Sequence, residues 1–85
     1  MTIELSFAKI LKSLRITKNL TQEELAFQSN LDRTYISMLE RGIHQPTLTT
    51  LFALTKALQI KPSEMIKLVE YDYGEVNEKN NNTRD

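Results

Sequence analysis

The residues best equipped for chemistry stand together at Arg33-Thr34-Tyr35-Ile36-Ser37-Met38. On a helix, Ile36 and Leu39 fall on one side, and Arg33, Thr34, Ser37, Met38 and Arg41 fall on the other. An arginine guanidinium can donate two parallel hydrogen bonds to a guanine edge, and a threonine offers a hydroxyl and a methyl to neighbouring bases. Met38 offers apolar contact alone, because its thioether is a weak acceptor. The competing reading is an ordinary solvated face, with Arg33 paired to Asp32 or Glu40, Tyr35 packed over the preceding helix and Met38 in the core. Other chemistries lack their parts. Cys is absent and the one histidine, His44, stands in a loop. No nucleophile–base pair, carboxylate pair, glycine-rich phosphate loop or metal cluster can be assembled, so no catalytic residue, metal or cofactor is expected and an enzyme is disfavoured.

Five helices must position that run, and nothing reads as a strand. The expected fold is therefore all-α. Ile3, Phe7, Ile10, Leu11 and Leu14 recur with helical period over about 3–18, and Asn19 can take the left-handed position that ends it. Thr21-Gln22-Glu23-Glu24 fits a capping box that opens a second helix, with Leu20 as a staple, Leu25 and Ala26 inward, and Asn30 left-handed beyond Ser29. Asp32 is the expected cap of a third helix over about 33–41, closed by Gly42. Thr47 caps a fourth helix to about Leu58, with Leu48, Leu51, Leu54, Thr55 and Leu58 facing the core. Pro62 opens a fifth helix to about Tyr71 that carries Met65, Ile66, Leu68 and Val69. Residues 1–73 form one domain, and 74–85, with one apolar residue and four Asn, read as a disordered polar tail. No apolar stretch approaches a signal or membrane segment, which leaves the cytoplasm as the default compartment.

The second and third helices, joined by the short turn Ser29-Asn30-Leu31-Asp32, form a helix-turn-helix with Ala26 at the close crossing. Thr21-Gln-Glu-Glu-Leu-Ala26, Leu31-Asp-Arg-Thr-Tyr-Ile-Ser37, Leu39-Glu-Arg-Gly42, Pro46-Thr47, Leu51 and Ala57-Leu58 together resemble the phage-repressor (XRE/Cro-like) helix-turn-helix family over roughly residues 5–70. Among its small members the chain looks most like the controller proteins of restriction–modification systems, which share the Asp-Arg-Thr-Tyr-Ile-Ser run. Asn30 departs from the glycine that many members carry in the turn, yet Asn also tolerates positive φ. The resemblance implies a compact five-helix domain that binds double-stranded DNA at a palindromic operator as a homodimer. It implies base contacts by Arg33, Thr34 and Met38 and a phosphate contact by Gln22 at the start of the second helix, where free N–H groups also point outward. It places Gln45 and Thr47 at phosphates beyond the third helix, and Tyr35 and Ser37 at backbone or base edge. Arg41, and Lys18 beside the motif, are further phosphate candidates.

The fifth helix is apolar on two sides, which suggests the core for one and a partner for the other, with Ile66, Val69, Tyr71 and Tyr73 as the interface. One short recognition helix reads few bases, and two of them on half-sites about 34–36 Å apart multiply the specificity. Glu40 is expected to turn inward or sideways and pair with Arg15 or another base. Glu23 and Glu24 are acids beside the motif that could touch RNA polymerase, although their place at a helix start already accounts for them. The alternative function is a protein-interaction module, such as an antitoxin or coactivator-like partner. Net charge is zero, from 11 basic and 11 acidic residues. The split is uneven: residues 1–60 carry seven bases and five acids, and residues 61–85 carry four and six. Weak non-specific DNA binding, with more of the affinity from base contacts and shape, is the consequence.

Overall fold

The computed structural model describes residues 2–80, with side chains through residue 74. Its five helices are α1 (Ile3–Thr17), α2 (Gln22–Ser29), α3 (Arg33–Glu40), α4 (Leu48–Leu58) and α5 (Pro62–Asn80). Local chemistry sets most of their ends. The Thr21 hydroxyl accepts from the Glu24 N–H at 3.0 Å, and Glu24 Oε1 accepts from the Thr21 N–H at 2.8 Å, completing the capping box. Thr2 and Thr47 cap α1 and α4 in the same way, accepting from Leu5 and Thr50. Asp32 makes no side-chain cap. Its carboxylate stays exposed to water, and its carbonyl opens α3 by accepting from Ile36 at 3.1 Å. Asn19, Asn30 and Gln59 carry φ of 65°, 59° and 58°. In the turn between α2 and α3, Asn30 lets the Leu31 N–H reach Ala26 O at 2.9 Å, so the turn closes without glycine.

The core lies where α1, α2, α3, α4 and α5 converge on Leu11, Leu25, Ile36, Leu39, Leu54, Leu58 and Met65, all of them fully buried. Each such burial contributes about 1.5–3 kcal/mol relative to exposure. Gly42 follows α3 at φ 75°, a left-handed conformation that glycine takes without strain, and a Cβ there would stand 2.4 Å from Leu5 Cδ2 and push that side chain aside.

Two expectations give way to packing. Leu48 does not face the core. It is the first residue of α4 and is 74% exposed, because Leu51, one helical turn on, already occupies the inward position. The fifth helix does not stop near Tyr71 but continues to Asn80, through the expected boundary at 73/74. Gly74 costs a helix only about 1 kcal/mol, no proline follows it, and nothing lies within 4 Å of where its Cβ would be. The last part of the expected tail, 81–85, lies outside the described residues. Among the described residues, no helix is long and apolar enough to cross a membrane.

Two polar links tie α1 to its neighbours. Near the C-terminal end of α1, Arg15 Nε meets Glu40 Oε2 of α3 at 2.6 Å, with the side chains 11% and 3% exposed. Near its middle, Lys9 Nζ meets Asp72 Oδ1 of α5 at 2.9 Å, and buried Ser6 also bonds Asp72. The hydrogen bond from Lys9 is the main reason the Asp72 carboxyl lies below its ordinary value. Partial desolvation opposes it, and the Ser6 bond and the Lys9 charge reinforce it.

Candidate nucleic-acid interface

Helix α3 presents its polar side away from the core. Arg33, Thr34, Ser37, Met38 and Arg41 span about 140° of its circumference at about 100° per residue. Arg33, Thr34 and Arg41 are exposed, and Ser37 and Met38 are half-buried. Neither arginine has a protein partner among the described residues, so both guanidinium groups are free to meet an outside acceptor. Tyr35 is half-buried and packs against the core.

The flanks of that face are less uniform. Lys18, at the C-terminal cap of α1, is exposed. Gln22 is half-exposed, and its amide donates to Glu40 Oε1 at 3.0 Å. The Arg15–Glu40 ion pair therefore lies directly beneath the start of α2. Arg15 further donates from Nη2 to Glu40 Oε1 at 3.0 Å and from Nη1 to Leu20 O at 2.7 Å. Among the described residues the Gln22 and Glu23 backbone N–H groups find no acceptor, whereas those of Thr21 and Glu24 are used by the capping box. Beyond α3, Gln45 is exposed. The Thr47 hydroxyl is occupied, accepting from the Thr50 N–H and donating to Thr50 Oγ1, both at 3.1 Å. What Thr47 keeps free for an anion is backbone N–H rather than hydroxyl.

The candidate partner surface of α5 is rearranged. Ile66 and Tyr73 line an apolar groove of about 340 Å³ between α5, the N-terminal end of α1 and the start of α4. Val69 forms its floor and is 5% exposed, so it belongs to the core first. Tyr71 is 70% exposed and does not line the groove, because it sits two positions from both Val69 and Tyr73 on a helix. Ile3 and Leu48 complete the apolar rim and were missed by sequence reasoning, which assigned both to core stripes. Gln45 and Thr47 border the same groove, so the loop after α3 joins the polar face to the apolar one. Phe27, 86% exposed on α2, also escaped notice, since nothing in a short apolar pattern marks which member stays outside. His44 is exposed, and among the described residues no cluster of three or more acidic or histidine side chains could hold a metal.

This geometry has close counterparts. The family model described as "Helix-turn-helix" matches residues 11–65. The control protein C.BamHI of Bacillus amyloliquefaciens is 38% identical over 65 residues, covering 75% of this chain and 80% of that protein. The crystal structure of the restriction–modification controller protein C.AhdI from Aeromonas hydrophila superposes with a TM-score of 0.71 at 42% identity, covering 73% of this chain and 94% of that one. A tetramer of the controller protein C.Esp1396I in complex with its natural 35 base-pair operator superposes at 0.75 with 33% identity, covering 81% and 91%. These relatives are regulators and not enzymes. The chain belongs to the helix-turn-helix family of DNA-binding transcriptional regulators, and its relatives there include restriction–modification controller proteins.

Proposed function

We propose that the protein is a sequence-specific transcriptional regulator that binds a palindromic operator as a homodimer and controls a restriction–modification operon. The observation that carries the reading is the outer face of α3, where Arg33, Thr34 and Arg41 stand exposed and both arginines lack a partner among the described residues. Each subunit would lay α3 in a major groove. Arg33 and Thr34 would read base edges, with Ser37 and Met38 beside them. Gln22, Lys18, Arg41, Tyr35, Gln45 and the N–H groups around Thr47 would hold phosphates on either side. The operator complex of the similar controller protein supports this use of the fold.

The groove lined by Ile3, Leu48, Ile66 and Tyr73 supports the homodimer, since the exposed parts of these side chains gain most by covering one another. RNA polymerase contact would fall to Glu23, because the Glu24 carboxylate is engaged by the Thr21 N–H. A DNA-binding regulator of this kind would work in the cytoplasm.

Selection of bound duplexes from a random library tests the whole reading. It should yield an inverted repeat whose half-site centres lie about 34–36 Å apart or a multiple of that. Enrichment of a single unsymmetrical site would refute the dimer, and no enrichment at all would refute sequence-specific binding.

A further inference from the structure

The Gln22 amide reaches Glu40 Oε1 at 3.0 Å, and that bond fixes more than a distance. An amide has a donating end and an accepting end, whereas a carboxylate only accepts. The NH2 group must therefore face Glu40, with one hydrogen spent there and the other left for an acceptor outside the protein. Turned over, the amide would set its carbonyl oxygen against the carboxylate.

Glu40 is well placed to impose that choice. Its side chain is 3% exposed and receives two bonds from Arg15, which is itself tied to Leu20 O. The guanidinium balances the carboxylate, so the pair beneath the start of α2 carries no net charge to repel an anion. Beside the amide, the backbone N–H groups of Gln22 and Glu23 are without acceptors among the described residues.

We propose that Glu40 is a positioning residue for DNA binding. It locks the Gln22 amide with its spare N–H, so that this donor and the neighbouring backbone N–H groups meet one phosphate together. Glu40 itself does not touch the DNA. This inference rests on the DNA-binding function proposed above.

The test uses the full chain and a selected duplex in which single phosphates are replaced by neutral methylphosphonates. The phosphate held by Gln22 is the one whose replacement weakens the parent more than it weakens Gln22→Met, which keeps only the backbone N–H contacts. In Glu40→Gln and Glu40→Asp, the penalty at that phosphate should shrink by about tenfold or more, the worth of one hydrogen bond to a charged group. Penalties at the other phosphates should stay as they are. Adding Glu40→Gln to Gln22→Met should then change nothing further there. Glu40→Asp keeps a charge opposite Arg15 and withdraws the carboxylate from Gln22, which guards against simple unfolding. Full retention of the penalty in both Glu40 variants would overturn the proposal, as would an equal loss at every phosphate. Selective binding with no phosphate that depends on Gln22 would overturn it and leave the DNA-binding function standing. No selective binding by the parent would overturn both.

Discussion

Helix α1 is tied to its neighbours by two ion pairs that differ in depth. Near its C-terminal end Arg15 and Glu40 are nearly sealed beneath the helix-turn-helix. Near its middle Lys9 is 56% exposed and Asp72 17% exposed, where α1 meets α5. The difference teaches where each half of the molecule gets its order. The reading head is small, and its outer face is polar and unpaired, so a buried polar cluster holds α1, α2 and α3 in register from beneath. The α5 end rests on apolar packing by Met65 and Val69, and its ion pair only trims the fit.

The contrast can be broken most sharply at its buried member. Arg15→Ala leaves Glu40 buried without a counter-charge and should destabilise the fold by about 3–5 kcal/mol in chemical denaturation. A loss under about 1 kcal/mol would show that the cluster is wetter than its burial implies.

At the opposite end, Leu48→Glu adds an acid at the first turn of α4, where the monomer accepts it readily. The proposed homodimer should weaken by about 1.5–3 kcal/mol in sedimentation equilibrium, with the monomer's melting unchanged. An unchanged dimer would place the interface elsewhere. On the polar face, Arg33→Ala should cost about 1–3 kcal/mol at one base position of each half-site and relax specificity there. Equal binding of all operators by parent and variant would remove Arg33 from the base-reading set.

Lys9→Ala has the smallest expected effect, about 0.2–1 kcal/mol of stability. It also has a pH signature. Asp72 is lowered in the folded chain, so its contribution is complete above the ordinary value of about 3.9 and is lost as pH falls through the lowered one. The parent should therefore lose stability over that acid range more steeply than Lys9→Ala.

Much of this was legible in the sequence because it is local. The capping box, the left-handed Asn19 and Asn30 and the Thr47 cap are set by residues close in the chain and were readable before any packing was known, while the Thr2 cap of α1, equally local, was missed. The polar face of α3 followed from its period, as the complement of Ile36 and Leu39. What depends on how helices are rotated against one another was not legible. Period alone shows that α5 is apolar on two sides, but Met65, Ile66 and Val69 are close neighbours on the helix wheel. The packing of α5 on α1, with Asp72 clasped by Ser6 and Lys9, decides that Met65 and Val69 turn inward while Ile66 turns out. Leu48 was misplaced for the same reason. The Arg15–Glu40 pair joins residues 25 apart, so sequence could name the partners but could not place them beneath Gln22.

The central claim is that a chain with no net charge binds DNA by reading bases. Equilibrium titration of the selected operator against a scrambled duplex of equal composition, at about 0.15 M salt, tests it most directly. The account predicts a preference of at least about a thousandfold for the operator. Equal affinities that both fall steeply with added salt would contradict it, since they would mean that phosphates alone are being bound.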